Sequence, residues 1–534
     1  MPGQGRATHG ISKHIDFWKA NLAGWENTEL ANEVLKQVEY GCSIGFTGED
    51  CKLISTCWPS AKEHATGVES FIEENIAAGN ISGPLSTVPD NFRASPLGAF
   101  IKKHSGKLRV IHDLSYPPGE SVNDGIGGLD CSVTYTKVSE AVELSKTMKN
   151  TWMAKTDLRA AYLSCPVKQE DWPYLGFTWA DAGNRQLNYC FTSLCFGLKS
   201  SARLFDNTAC ALQYMCIKRG ASRLTLHYLD DILTLAPTEY ECRQSLEIIK
   251  DTCIKAGFGI QEEKTHGPSQ VIEFLGLIID SIKKEVRISA NRLQEVKEEL
   301  QHWTSVGILT KRELLSVIGK LQFCVQVVRQ GHMFIRRLIH TSKRYKNLHH
   351  KIKLNGECRK DISWWNRCIQ KHNGVSWFPS EFSMENAELV FSDASDLACA
   401  AVWREHWTVV EFRGDFEWLK EKPINYREMY AVVLGIATFA YQLKQSDVVM
   451  HIDNKGVQQS VASGKCKDPG IMGLIRSLYL YTSINHIRYR SLHLGSKFNA
   501  EADSLSRGRL DIFRSLVPNA DIRMSRPCRI LIDW

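Results

Sequence analysis

Short apolar runs alternate with longer amphipathic ones from Pro84 to about Asp280. Arg109–His112, Leu224–Leu229 and Val271–Ile279 have the dense apolar character of strands, while Thr208–Cys216 and Tyr240–Ala256 have helical spacing. The mixture predicts an α+β segment over 84–284. Between 285 and 385 the rhythm changes. Leu, Ile and Trp recur at three- and four-residue steps through Leu314–Leu321 and Asp361–Cys368, with basic residues between them, so a long, basic, helical stretch is expected. Strand signals return at Leu389–Ser392, Ala398–Trp403 and Val448–Ile452. A helix is expected at Arg427–Leu443, which makes 386–512 an α/β segment. Residues 1–83 carry an amphipathic piece around Leu30–Val38 but no assignable chemistry. Residues 513–534 carry no readable motif, and neither an internal repeat nor a low-complexity tract is present.

Composition narrows the class. The 534 residues suffice for about three or four domains. Hydrophobic residues at 43% and charged residues at 23% argue against wholesale disorder. No apolar run is long enough for a membrane span and no secretion signal follows Met1, so no membrane partner is expected. The 17 cysteines are odd in number and form no C-x-x-C pair. That speaks against a disulfide framework and a clustered zinc site, and for an intracellular, reducing compartment, nucleus or cytoplasm. The net charge of +7 is compatible with a polyanionic partner without requiring one.

The candidate chemistry begins at Tyr228-Leu229-Asp230-Asp231, flanked by Leu224-Thr225-Leu226 and Ile232-Leu233-Thr234-Leu235. The pattern predicts a β-hairpin with two acids at its tip. Adjacent carboxylates repel unless a cation lies between them, although Asp is also common in ordinary turns. A third acid, Asp157, follows the strand-like Trp152-Met153-Ala154. One acid at a strand end and two on a hairpin suit a pair of Mg2+ ions, which prefer oxygen ligands.

The order of these signals resembles the fingers and palm of reverse transcriptases. Lys102-Lys103-His104-Ser105-Gly106-Lys107-Leu108-Arg109 is similar to the segment that holds the incoming triphosphate, which implies that role for Lys102 and Arg109. Leu194–Phe205 resembles the template- and nucleotide-positioning segment around Phe196 and Gly197, with Cys195 and Ala202 where the family often has Pro. Tyr162, five residues after Asp157, matches the aromatic gate against a ribose 2′-hydroxyl and implies dNTP substrates. Lys264 resembles the lysine that protonates pyrophosphate, and Phe274-Leu275-Gly276 the segment that grips the primer. The resemblance implies a right-hand polymerase over 84–284, with a helical thumb and connection over 285–385. The basic segment Lys283–Lys346 is then expected to track a phosphate backbone, with binding that weakens as salt rises.

Four acids downstream form a second set: Asp393 after Leu389-Val390-Phe391, Glu428 near the start of a helix, Asp453 after Val448–Ile452, and Asp503 in Asn499–Arg507. Singly, each has a plainer role. Asn425-x-x-Glu428 reads as a capping box, Asp503 as a complement to a helix N-terminus, and Asp393 and Asp453 as turn acids. Jointly they resemble the acidic set of a ribonuclease H, which implies two Mg2+ ions at each site, with Mn2+ as a substitute, and cleavage of the RNA strand of a hybrid. His493 matches a family histidine associated with product release, although Gly495-Ser496 departs from the usual sequence there.

Arg109–Ser115, Ser121–Asp124, Ile318–Leu321, Trp364-Trp365 and Ala500–Arg507 are most similar to retrotransposons of the DIRS type, which pair this enzyme with a tyrosine recombinase. The implied partners are a primed RNA or DNA template, an RNA/DNA hybrid, dNTPs and a recombinase encoded by the same element. Two rival readings stand beside an active element enzyme: a polymerase captured into host DNA metabolism, and a nucleic-acid-binding protein that kept the fold without turnover.

Overall fold

The computed structural model describes residues 6–101, 106–128, 131–181, 184–372, 375–377, 382–495 and 498–530. The chain divides into two compact units, one of Met1–Leu275 with Asp280–Ile282, the other of Gly276–Ile279 with Lys283–Trp534. Both mix helix and sheet, so the molecule is α+β and multidomain. Among the described residues, no helix is long and apolar enough to cross a membrane.

In the first unit β1 (Leu97–Ile101) and β2 (Leu108–His112) form a hairpin. Downstream come β3 (Trp152–Arg159), α1 (Ser201–Lys218), β4 (Thr225–Tyr228), β5 (Asp231–Ala236), α2 (Glu239–Lys255) and β6 (Gly259–Ile260). The central sheet runs β6-β3-β5-β4, with antiparallel pairing throughout. Helix α1 buries Phe205, Ala209, Leu212 and Cys216, a stripe at steps of three and four. The N-terminal residues, chemically silent in sequence, join the same core. Asn27 caps Thr28–Tyr40 by accepting from Leu30 N at 3.2 Å, and Val34 and Val38 are buried. Trp18 is also buried and donates from Nε1 to the Ala256 carbonyl at 3.0 Å.

In the second unit α3 (Gly356–His372) precedes a five-stranded sheet. Its elements are β7 (Glu388–Ala394), β8 (Ala398–Trp403), β9 (His406–Glu411), α4 (Ile424–Phe439), β10 (Asp447–Ile452), α5 (Pro469–Ile484), β11 (Arg488–His493) and α6 (Ala500–Ser506). The strand order is β9-β8-β7-β10-β11: β8 runs antiparallel to both β9 and β7, and β10 runs parallel to both β7 and β11. The α/β character expected over 386–512 is therefore present, with α4 buried along most of its length against the sheet and α5.

Two expectations need correcting. Val271–Ile279 is not one strand. It breaks into Val271–Phe274 and Leu277–Asp280, because Leu275 (φ 51°) and Gly276 (φ 80°) turn through the left-handed region. The stretch after 285 is not purely helical either. Ile308–Thr310 pairs with Lys351–Lys353 and Glu285–Ile288 with Val375–Trp377, short strands whose partners lie tens of residues away. The helices of this unit are pinned by a buried ion cluster. Arg476 on α5 and Asp361 on α3 are fully buried. Arg476 Nη2 donates to Asp361 at 2.9 Å and to Glu357 at 2.6 Å, and Arg337 Nη1 reaches both Asp361 oxygens at 2.7 Å.

Candidate active sites

The antiparallel register of β3 and β5 sets Asp157 opposite Asp231. The β4–β5 hairpin turns on Leu229-Asp230 alone, with Leu229 at φ 52°. A non-glycine residue there is strained by roughly 1–2 kcal/mol, and such strain persists where the surrounding structure fixes a functional turn. The backbone is tied on both sides. Leu158 N donates to the Asp230 carbonyl at 3.0 Å and Gln261 N to the Asp157 carbonyl at 2.9 Å.

Asp157 is buried; its Oδ2 accepts from Lys264 Nζ at 2.9 Å, while its Oδ1 has no partner among the described residues. Burial, then the charge of Asp157, pushes Asp230 up from the usual carboxylate range. The same causes, with the charge of Asp230 added, push Asp231 to about 6. Burial works to lower the Lys264 ammonium, but its hydrogen bond to Asp157 and the three nearby acids outweigh it, so the group is raised and stays charged. Lys264 and Arg109 draw Asp230 down and Lys155 draws Asp231 down, yet burial and the mutual repulsion of the acids prevail. An orphaned buried carboxylate oxygen among all-oxygen donors fits a hard divalent cation.

Around this triad, Tyr162 lies 5.1 Å, ring to ring, from Phe196 and 5.4 Å from Phe205. Phe196 is exposed, and the Arg109 guanidinium stacks 4.3 Å above its ring. Arg109 also lies close enough to draw the Asp230 carboxyl downward, against its burial. Gly197 has φ 107°, and a Cβ built there would meet the His112 carbonyl oxygen at 1.8 Å. The close approach that demands glycine is thus to the protein's own backbone. Asn123 Nδ2 fixes the Gly197 carbonyl at 2.8 Å. Lys102 lies outside the described residues.

In the second unit Asp393 on β7, Glu428 on α4 and Asp453 just after β10 bring carboxylate oxygens within 4.8 Å of one another. Parallel pairing of β7 with β10 aligns the two strand ends, and α4 crosses the same sheet. Glu428 is no capping residue: α4 starts after Pro423, without a side-chain cap. It is buried, with Oε2 lacking any partner among the described residues. Burial, then the charges of Asp393 and Asp453, raises it to about 9. Burial also raises Asp393 to about 6, against a hydrogen bond from Ser506 that lowers it. Asp503 lies on α6 beside this set, not within it, and its Oδ1 accepts from Arg507 Nε at 2.7 Å. His493 ends β11, with Nε2 3.0 Å from the Asp453 carbonyl oxygen.

Residues 101–279 match a protein-family model described as reverse transcriptase (RNA-dependent DNA polymerase). This segment is a reverse-transcriptase domain. It holds Asp157, Asp230, Asp231, Tyr162, Arg109, Phe196, Gly197 and Lys264, whereas the second acid set lies beyond the matched residues. The chain is 26% identical over 289 residues to the Gag-Pro-Pol polyprotein of Human T-cell leukemia virus 2, covering 54% of this chain and 18% of that protein. It is 26% identical over 281 residues to the Gag-Pro-Pol polyprotein of Bovine leukemia virus, covering 49% of this chain and again 18% of the relative. The chain thus spans under a fifth of the length of these polyproteins. Among solved structures, the foamy viral protease-reverse transcriptase dRH in complex with ds DNA is 16% identical, with 92% of this chain and 84% of that chain covered and a TM-score of 0.49. The foamy viral protease-reverse transcriptase in complex with an RNA/DNA hybrid is 14% identical, with 92% and 64% covered and a TM-score of 0.47.

One group was missed at the level of sequence. Asp206, Cys210 and His227 also converge within 4.8 Å. The four-residue spacing of Asp206 and Cys210 was the available signal, but the expected helix began only at Thr208 and left Asp206 outside it.

Proposed function

We propose that this chain is an RNA- and DNA-directed DNA polymerase with ribonuclease H activity on RNA/DNA hybrids, replicating a retroelement. The observation that carries the reading is one chain with two separate acid sets, each holding a buried carboxylate oxygen with no partner among the described residues, the first inside the reverse-transcriptase domain. Asp157, Asp230 and Asp231 would hold Mg2+ or Mn2+ at the first set, and Asp393, Glu428, Asp453 and Asp503 at the second, two ions at each. Such ions activate the attacking oxygen and stabilise the leaving one in an in-line phosphoryl displacement.

The residues divide the remaining work. Arg109, stacked on Phe196, offers a guanidinium fork to phosphate oxygens, with Lys102 as a second cation. The Tyr162 ring beside Phe196 limits room at the sugar, which favours dNTPs over ribonucleotides. Lys264, held charged by the acids, would supply the proton to departing pyrophosphate. At the second set Asp393 and Glu428, both raised, bind a cation by giving up protons, and His493 beside Asp453 assists product departure.

The partners are a primed RNA or DNA template, the hybrid made from it, and a recombinase from the same element. The motifs Ile318–Leu321 and Ala500–Arg507 support the DIRS-type branch. The 17 cysteines, all free and many of them buried, support a reducing intracellular compartment. The test is extension of a DNA primer on an RNA template with dNTPs and Mg2+, in wild type and Asp157→Asn. Mg2+-dependent extension lost in the variant supports the reading. Tight binding of the primed template without extension overturns it in favour of a nucleic-acid-binding protein.

A further inference from the structure

Apart from both acid sets, Asp206 and Cys210 lie one turn apart on α1, and His227 lies on β4, the strand that leads into the Asp230-Asp231 turn. His227 Nε2 is 3.3 Å from Asp206 Oδ1 and 3.7 Å from Cys210 Sγ. The other ring nitrogen, Nδ1, is 2.5 Å from Gln213 Oε1. Gln213 Nε2 donates to the Thr225 carbonyl at 2.6 Å, so the amide oxygen is the atom that faces the imidazole. Nδ1 therefore donates to Gln213, and Nε2 is the ring atom that faces the carboxylate and the thiol. An outer hydrogen bond of this kind fixes the ring of a metal-bound histidine.

The two separations from His227 match edges of a coordination sphere, and all three donor atoms lie within 4.8 Å of one another. A tetrahedral Zn2+ with bonds of about 2.1 Å to nitrogen and oxygen and about 2.3 Å to sulfur separates N from O by about 3.4 Å and N from S by about 3.6 Å. The observed 3.3 and 3.7 Å lie within about 0.1 Å of those edges. The donor set, one sulfur, one imidazole and one carboxylate, suits a borderline-soft ion and not Mg2+.

We propose that Asp206, Cys210 and His227 bind one Zn2+-class cation that fastens α1 to the strand carrying the catalytic turn. Three protein ligands leave a fourth position for water. The site needs neither acid set and stands or falls independently of the polymerase reading.

The test is titration of the metal-stripped full chain with Co2+ in excess Mg2+, which fills the hard oxygen sites. The expected result is one equivalent with tetrahedral d–d bands and a thiolate-to-cobalt charge-transfer band, displaced by Zn2+. Cys210→Ser should abolish the charge-transfer band, with affinity falling by about 100-fold or more, since loss of a ligand exceeds the ~10–100-fold cost of losing an outer partner. Gln213→Leu removes no ligand, only the outer hydrogen bond to His227, and should weaken Co2+ binding by about 10-fold or more while leaving the band shape intact. Far-UV circular dichroism confirms that each variant is folded. A charge-transfer band unchanged in Cys210→Ser would place the sulfur ligand at another cysteine and overturn the proposal. Absence of any tetrahedral band in folded wild type would also overturn it, leaving a hydrogen-bonded His227–Asp206 pair only.

Discussion

Glu428 is the most heavily perturbed acid of the second set, and replacing it with Gln yields a prediction opposite to the usual effect of a core substitution. Its folded pKa is raised from 4.5 to about 9 by burial and by Asp393 and Asp453. Between those values the folded protein holds a proton that the unfolded chain has released, so stability is fully present below 4.5 and falls as pH rises toward 9. At about pH 7.5 roughly three units of that window have been crossed, at about 1.4 kcal/mol each, so the metal-free second unit is destabilised by ~4 kcal/mol relative to acid conditions. Glu428→Gln keeps the shape and deletes the titration. In EDTA near pH 7.5 the variant should be the more stable protein, and near pH 5 the two should be almost equal. Hydrogen exchange of the α4 and β10 amides, corrected for intrinsic rates, reads this directly. About 4 kcal/mol corresponds to ~10³-fold greater protection in the variant. Mg2+ should raise protection in wild type, by paying the carboxylates' electrostatic cost, and leave the variant nearly unchanged. Equal protection of the two proteins in EDTA at both pH values would refute the claim that burial holds a proton on Glu428, and no response of wild type to Mg2+ would refute the claim that it is held for a cation.

Three further outcomes follow from the geometry. Gly197→Ala forces a Cβ into the His112 carbonyl at a positive φ and should cost more than about 1 kcal/mol; denaturation of the first unit measures it, and loss of extension should accompany it. Arg476→Met removes a fully buried cation from Asp361 and Glu357 and should cost about 3–5 kcal/mol, whereas Asp361→Leu with Arg476→Met should recover most of that loss; urea titration of the four proteins of this cycle provides the check. Lys264→Met takes away a charge that lowers Asp230, so the acid limb of the extension rate should move to higher pH, and an unchanged profile would show that Lys264 does not govern the triad.

How much of this was legible in the chain depends on the range of the physics involved. The Asp230-Asp231 hairpin and Asp157 at a strand end were readable because period-two alternation and a two-residue turn are local signals, and the register then sets Asp157 opposite Asp231. Glu428 looked like a cap from its spacing to Asn425. Only packing of α4 on the sheet shows it buried and uncapped. Ile308–Thr310 and Lys351–Lys353 were read through as helix because three-residue strands have too little periodicity and owe their form to a distant partner. Val34 lay in the amphipathic piece read at Leu30–Val38, but Trp18 had no pattern to announce it as core, since its burial against α1 and α2 is non-local. The C-terminal residues are similar: Asp521 pairs with His406, and Trp407 Nε1 donates to the Asp521 carbonyl at 2.9 Å, contacts no local pattern announces. Gly197 was readable as part of a positioning segment, but not the His112 carbonyl it packs against.

The most direct test of the two-site account is a separation of functions in a single reaction. A labelled RNA template with a DNA primer, dNTPs and Mg2+ reports synthesis and template cleavage together, and a preformed RNA/DNA hybrid reports cleavage alone. Asp230→Asn should abolish synthesis and leave cleavage of the preformed hybrid intact, whereas Asp453→Asn should do the reverse. Loss of both activities in either variant, or of neither, would contradict the assignment of one chemistry to each acid set.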